Sequence, residues 1–146
     1  MQFRDNKEKI LIIDFGSQVT KLIARRVRDL GVYSEIITPK DTKKIRDFTL
    51  IKGIILSGGP STVTKQKFQK IPKQIFTKKI PILGICYGLQ LIAKIFGGKI
   101  KSLNKRREFG RAFIFKKNTS LLTKNFFKSQ KAVWMSHEDA VIKLPK

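Results

Sequence analysis

Apolar residues in the first hundred positions are concentrated in four short runs, at residues 9–15, 32–38, 51–57 and 80–85. Short apolar runs of this kind are typical of strands buried in a parallel sheet. Helical or loop segments follow each run, so strand and helix alternate along the chain. This alternation predicts an α/β fold with a doubly wound, mostly parallel sheet flanked by helices.

Two amphipathic stretches predict the main helices. The first follows Ser17, a possible cap, and ends at Gly31; one face would hold Val19, Leu22, Ile23, Val27 and Leu30. The second follows residue 86 and ends at residues 97–98; one face would hold Leu89, Ile92, Ile95 and Phe96. Weaker patterns predict short helices within residues 41–48 and 65–77.

The pattern changes after residue 98. Residues 109–116, 132–135 and 140–143 have the composition of short, antiparallel strands joined by polar connections. No repeat or linker interrupts the chain, so residues 1–146 are predicted to form one domain. No closing strand or helix follows residue 143, and we expect the domain to be incomplete at its C-terminal end.

Composition places the chain among globular proteins. It has 146 residues, of which 41% are apolar, and it contains no uninterrupted apolar run long enough to span a membrane. The polar N-terminus has no signal-peptide character. A single cysteine excludes an intrachain disulfide. We therefore expect a soluble, cytoplasmic protein without a membrane partner.

The net charge of +22 is the unusual feature of the composition. The 24 lysines are spread along the chain, whereas arginine, the better residue for bidentate phosphate and base contacts, occurs only 8 times. No nucleic-acid-binding motif accompanies the charge. Solvated faces are the favoured interpretation, and no specific nucleic-acid partner is expected.

The cysteine, Cys86, lies where the fourth apolar run meets the second helix. Gly84 and Gly88 flank it in a Gly-x-Cys-x-Gly pattern, the thiol form of a nucleophile elbow. Glycine suits both flanks because a Cβ atom in so tight a turn would meet neighbouring backbone. A cysteine can also be a small buried apolar residue, but the flanking glycines favour a nucleophile.

Three loops should meet at the carboxyl edge of the predicted sheet: residues 14–18, 57–60 and 86–88. A cysteine nucleophile needs an oxyanion hole, for which the backbone N–H groups of Tyr87 and Gly59 are candidates. The only histidine, His137, is a possible base oriented by Glu138 or Asp139, or else a surface residue. One histidine and one cysteine are too few ligands for a metal site, so none is predicted.

Several motifs together resemble the class I glutamine amidotransferases, and among them the amidotransferase domains of GMP synthases. Residues 84–90, GICYGLQ, are similar to the nucleophile motif of that family. Further similar segments are residues 12–18 (IIDFGSQ), 24–33, 53–60, 107–110 (REFG) and 133–137 (VWMSH). The first and last of these motifs, IIDFGSQ and VWMSH, are more specific than the cysteine motif alone.

The resemblance implies glutamine as the substrate and a role for each matching residue. Cys86 would attack the side-chain amide and release ammonia from a glutamyl thioester. Gly59 and Tyr87 would donate to the oxyanion. The glutamine would be held by Gly58, Gln90, Ser136 and His137. In this family the segment with His137 lines the substrate pocket and does not supply the base.

The resemblance also implies partners. Ammonia would pass to an ATP-pyrophosphatase domain or subunit that uses ATP and Mg²⁺ to convert XMP to GMP. The amidotransferase domain itself would need no cofactor, and a C-terminal domain outside this sequence would form a homodimer.

Two departures from the family pattern stand out. The family's catalytic histidine and glutamate lie in a later Gln-Phe-His-Pro-Glu motif that is absent from this sequence. The chain is therefore predicted to be truncated and, alone, inactive. Glu138 replaces a usual glycine and could crowd the pocket. The alternatives are an amidotransferase for anthranilate or carbamoyl-phosphate synthesis, and a non-catalytic basic binding module with this fold.

Overall fold

The computed structural model describes residues 7–64, 68–102, 108–120, 123–126, 128–137 and 139–145. The strands are β1 (Lys9–Ile13), β2 (Ser34–Ile37), β3 (Ile51–Leu56), β4 (Ile82–Gly84), β5 (Lys99–Ser102), β6 (Glu108–Phe115), β7 (Gln130–His137) and β8 (Asp139–Lys143). The helices are α1 (Thr20–Asp29), α2 (Gln74–Thr77) and α3 (Tyr87–Ile95), and a 3₁₀ helix spans Asp41–Lys44. The chain divides into two compact units, Met1–Lys101 with Val141–Lys146, and Ser102–Ala140.

A four-stranded parallel sheet forms the centre of the first unit. Its strand order is β2-β1-β3-β4, and every neighbouring pair runs parallel. The chain passes from β1 to β2 on one side of β1 and then returns to β3 on its other side. This is the doubly wound, mostly parallel arrangement that the alternating pattern predicts, and that prediction is confirmed.

The core of this unit consists of the central strands and the helix that follows β4. Ile13, Leu56 and Leu91 have no accessible surface, and Tyr87 retains only 2% of its own. Fully burying each aliphatic side chain contributes about 1.5–3 kcal/mol relative to leaving it exposed. The continuous apolar runs of β1 and β3 therefore supply much of the stabilisation that holds the sheet edge in place.

The predicted faces of both main helices are partly wrong. In α1 the buried residues are Thr20 and Ala24, whereas Leu22 and Leu30 are 50% and 82% exposed. Small side chains let a helix approach a sheet closely, and in α1 they occupy the buried positions. The larger apolar residues of the predicted face do not determine which side is buried.

The buried face of α3 is also rotated relative to the face predicted from the sequence. Leu91 and Ala93 are buried, but Leu89 and Phe96 are 47% and 51% exposed. The helix is apolar on most sides, so its pattern has no broad polar stripe to identify the buried face. The buried face is instead determined by how the chain leaves β4, which presses Gly88 against β3.

The helix boundaries show three further corrections. Ser17 does not cap α1: Val19 occupies the N-cap position without a side-chain cap bond, and the Ser17 hydroxyl accepts from the Val19 N–H at 3.2 Å. The segment 41–48 forms only the 3₁₀ helix. Of segment 65–77, only Gln74–Thr77 is helical among residues 68–77, because Pro72 lacks the N–H that a helix interior needs; residues 65–67 lie outside the described residues.

Gly31 and Gly97 end α1 and α3 as predicted. Both have the positive φ that suits glycine after a helix, 77° and 85°.

The predicted short strands of the second half are confirmed. In the second unit β6 and β7 pair antiparallel, with Phe109 opposite Ser136 and Phe115 opposite Gln130. A separate two-stranded sheet joins β5 to β8. The sequence pattern does not predict β5, because four residues with two lysines give too short an alternation to distinguish from a loop.

Candidate active site

Cys86 lies between β4 and α3 in a conformation that L-residues rarely adopt. Its φ is 48° and its ψ is −109°, and among the described residues it is the one non-glycine residue with positive φ. Such a backbone costs on the order of 1–3 kcal/mol and persists only where its surroundings enforce it. The side chain is exposed. The strained turn therefore presents the thiol at the sheet edge, as the elbow motif predicts.

Both flanking glycines are required by close packing. A Cβ atom on Gly84 would lie 2.6 Å from the Leu89 backbone nitrogen, and one on Gly88 would overlap the Leu56 carbonyl oxygen. Hydrogen bonds fix the same turn to β3: the Ile85 N–H donates to the Leu56 carbonyl at 2.9 Å and the Gly88 N–H to the Ser57 carbonyl at 3.1 Å. The elbow is thus held on both sides of Cys86.

The loops after β1 and β3 meet the elbow, as predicted. A Cβ atom built on Gly58 would lie 3.5 Å from the Cys86 Cβ and 3.6 Å from the Ser17 hydroxyl oxygen. The Phe15 N–H donates to the Ser57 hydroxyl at 3.0 Å, which joins the two loops directly. Gly58 therefore lies next to both Cys86 and Ser17.

The two predicted oxyanion donors are Gly59, in the loop after β3, and Tyr87, at the start of α3. Gly59 packs so closely against the first loop that a Cβ atom would lie 2.5 Å from the Phe15 carbonyl oxygen. Tyr87 is the first residue of α3, a position whose N–H has no acceptor within the helix. Their roles as oxyanion donors stay predictions.

The Tyr87 side chain is part of the core that supports the elbow. Its ring lies 4.9 Å from the Phe15 ring, and its hydroxyl donates to the Gln69 carbonyl at 3.1 Å. Burial raises the pKa of the Tyr87 phenol, although the hydrogen bond to Gln69 partly opposes this. The residue after the nucleophile is thus fixed by its own side chain.

Asp14 organises the loop after β1, a role that the sequence pattern does not reveal. Its Oδ1 accepts from the Thr20 hydroxyl at 2.7 Å, the Gly16 N–H at 2.9 Å and the Ser17 N–H at 3.2 Å. Burial tends to raise the pKa of Asp14, but these hydrogen bonds, with one from Ser57, together hold it below its ordinary value. The sequence feature that indicates this role is the position of the carboxylate at the end of a strand, directly before Phe-Gly-Ser.

Lys94 is a second residue that the sequence pattern does not single out. From α3 its ammonium donates to the Val63 carbonyl and lies 4.3 Å from the centre of the Phe68 ring. Val63 is fully buried. Lys94 therefore ties the segment that follows Gly59 to the helix that begins at the nucleophile.

The remaining predicted residues are Gln90, Ser136 and His137. Gln90 lies in the first turns of α3, and its N–H donates to the Cys86 carbonyl at 3.1 Å. Ser136 and His137 end β7 in the second unit, opposite Phe109 and Glu108; Ser136 is exposed and His137 half-buried. Their contribution to a glutamine pocket stays a prediction. Arg107 and Glu138 lie outside the described residues.

Among the described residues, no group of three or more His, Cys, Asp or Glu side chains could hold a metal ion. No helix in this part of the chain is both long and apolar enough to cross a bilayer.

Comparison with known proteins identifies the family. The family model described as glutamine amidotransferase class-I matches residues 11–146. Glutamine-hydrolysing GMP synthases from Macrococcus caseolyticus and Staphylococcus aureus are each 43% identical over 150 aligned residues, which cover 100% of this chain. The chain spans 28% of the length of these relatives.

Solved structures agree with this assignment. A Thermoplasma acidophilum protein assigned as one subunit of GMP synthase superposes with a TM-score of 0.80 at 32% identity, over 95% of this chain and 69% of that one. A Thermotoga maritima glutamine amidotransferase, at 24% identity, shares the fold with a TM-score of 0.71, over 94% of this chain and 63% of that one. The chain therefore belongs to the class-I glutamine amidotransferase family and is homologous to the glutaminase part of GMP synthase.

Proposed function

We propose that this chain is the glutamine-hydrolysing part of a GMP synthase, with Cys86 as its nucleophile. The observation that carries the proposal is the strained backbone of Cys86, which holds an exposed thiol beside Gly58 at the start of α3. Strain of this kind has a cost, and it is typical of functional sites. The family membership gives this thiol its substrate, the side-chain amide of glutamine.

The reaction proceeds in two steps at the thiol. The Cys86 sulfur attacks the amide carbon as a thiolate, and the carbonyl oxygen becomes an oxyanion that accepts from the Gly59 and Tyr87 N–H groups. The C–N bond then breaks with protonation of the nitrogen, which releases ammonia and leaves a glutamyl thioester. Water hydrolyses the thioester to glutamate and restores the thiol.

The other predicted residues would hold the substrate. Gly58 is suited to line the pocket because a side chain there would point toward Cys86 and Ser17. Gln90, Ser136 and His137 supply polar groups for the glutamine, and we do not assign His137 as the base.

The acceptor side of the reaction is also part of the proposal. Ammonia released at Cys86 would aminate XMP in an ATP-pyrophosphatase domain or subunit, where ATP and Mg²⁺ act, and a homodimer would form outside this domain. The identity to GMP synthases over the whole chain supports this acceptor over anthranilate or carbamoyl-phosphate synthesis. Glutamine-dependent GMP formation from XMP by the full-length protein would test it.

Labelling with a glutamine analogue tests the nucleophile. The electrophile 6-diazo-5-oxo-norleucine should modify Cys86 of the full-length protein, with the adduct located by mass spectrometry of the peptides. Excess glutamine should slow the labelling, and Cys86→Ala should abolish it. Labelling that glutamine leaves unchanged, or an adduct on another residue, would refute the assignment.

A further inference from the structure

A cavity of about 500 Å³ opens in the first unit beside the ends of β1 and β2. Gly16 lines it after β1, and Thr38 and Pro39 line it after β2. Three lysines also line the cavity: Lys40, Lys43 and Lys70. We call this the lysine cavity. Its volume lies within the range of about 300–1,000 Å³ that is usual for small-molecule sites.

The lysine cavity has an excess of positive charge. None of its three lysines forms an ion pair with a carboxylate in the part of the chain that the structure describes. The one carboxylate in the described lining is Asp14, whose Oδ1 is occupied by donors from its own loop. Three lysines against one ionised carboxylate leave the described lining with an excess of positive charge, which favours an anionic ligand.

The position and the other lining groups narrow the class of ligand. Parallel sheets bind ligands outside the carboxyl ends of their strands, which is where this cavity lies. Lysine is a common phosphate binder that acts as a point charge. The half-buried ring of Pro39 and the polar side chain of Gln69 offer contacts to a larger organic group.

We propose that the lysine cavity binds a small organic phosphate through Lys40, Lys43 and Lys70. The phosphate lies among the three ammonium groups, and the organic part lies against Pro39. This site is distinct from Cys86 and does not depend on the glutaminase reaction. It does border the elbow, because Gln69 accepts the hydrogen bond from Tyr87.

Calorimetric titration of the 146-residue chain alone at 150 mM NaCl, in a phosphate-free buffer, tests the proposal. The probes are GMP, inorganic phosphate and guanosine. GMP should bind saturably at one site and more tightly than inorganic phosphate, and guanosine should bind at least tenfold more weakly than GMP. Absence of saturable GMP binding would refute the site. Equal binding of guanosine would refute recognition through phosphate, and equal binding of inorganic phosphate would refute the organic contact.

A charge-matched pair of variants separates the cavity from the general basicity of the chain. The triple variant Lys40→Gln/Lys43→Gln/Lys70→Gln should bind GMP at least tenfold more weakly. The control Lys21→Gln/Lys79→Gln/Lys117→Gln removes the same charge from exposed lysines outside the cavity and should bind as the parent does. Equal weakening in both variants would show non-specific attraction and overturn the proposal. Circular dichroism checks that both variants are folded.

Discussion

Gly58 has room for a methyl group at the edge of the candidate site. The nearest atom to its built Cβ, the Cβ of Cys86, is 3.5 Å away, which is ordinary contact. Glycine at this position is therefore not required by packing. A methyl group there would instead occupy space next to Cys86. Gly58 thus keeps space open at the candidate site, whereas Gly88 is required by close packing.

We expect Gly58→Ala to retain the stability of the parent but to slow labelling of Cys86 by 6-diazo-5-oxo-norleucine at least tenfold. Gly88→Ala is the matched control for packing. Its Cβ would overlap the Leu56 carbonyl oxygen, and overpacking of this kind costs about 1–3 kcal/mol. Urea unfolding and labelling rates measure the two effects. Unchanged labelling of Gly58→Ala would contradict the placement of glutamine beside this residue.

Asp14 gives the loop after β1 a pH-dependent stability. Its pKa in the folded protein lies below the ordinary value because of the hydrogen bonds from Thr20, Gly16, Ser17 and Ser57, which outweigh the effect of burial. The ionised carboxylate therefore stabilises the fold at neutral pH. This contribution is complete above the ordinary carboxyl pKa of about 4 and is lost as the pH falls through the lower folded-state value.

Asp14→Asn should accordingly have a lower melting temperature than the parent at pH 7. The difference should narrow as the pH falls from about 4 towards 2, since the parent then loses the same interaction. Thermal unfolding followed by circular dichroism at pH 7, 4, 3 and 2 measures this difference. A gap that stays constant down to pH 2 would mean that the charge of Asp14 does not stabilise the loop.

Residue patterns predict the position of the nucleophile better than its supporting contacts. The Gly-x-Cys-x-Gly spacing implies a tight turn, and a tight turn has few backbone solutions. By contrast, Lys94 acts through a partner that the fold brings near, Val63, which is 31 residues away along the chain. Asp14 bonds mostly to its own loop, and only its partner Ser57 is distant, 43 residues away. Sequence spacing contains no information about such partners until the sheet order is known.

At the scale of the elements, strands could be predicted more accurately than helix faces. A buried parallel strand is apolar on both sides, so β1 and β3 are evident from composition alone. A helix buries only one stripe, and α3 is apolar around most of its circumference. The strained turn at Cys86 determines its rotation, which is a tertiary effect that helical periodicity does not contain.

A pair of leucines on α3 tests this rotation. Leu91 is fully buried and Leu89 is 47% exposed. We expect Leu91→Ala to lower the free energy of unfolding by about 2–5 kcal/mol, and Leu89→Ala by less than about 1 kcal/mol. Urea denaturation of the two variants provides the comparison. A larger loss for Leu89→Ala would restore the face predicted from the sequence.

The whole molecule carries far more positive than negative charge. Its net charge is +22, and four ion pairs are found among the described residues. The 32 lysine and arginine residues outnumber the 10 acidic residues, so most basic groups have no acidic residue to balance them. Such self-repulsion destabilises the compact state, because unfolding moves like charges apart.

Added salt should therefore stabilise this protein. Raising NaCl from 10 to 300 mM shortens the Debye length from about 30 Å to below about 8 Å, so that repulsion across the surface is screened. The melting temperature should rise by about 2–4 °C for each kcal/mol of repulsion that is removed. A phosphate-free buffer keeps any ligand of the lysine cavity out of the measurement. KCl should act like NaCl, since screening depends on ionic strength, whereas a constant or falling melting temperature would show that the excess charge does not limit stability.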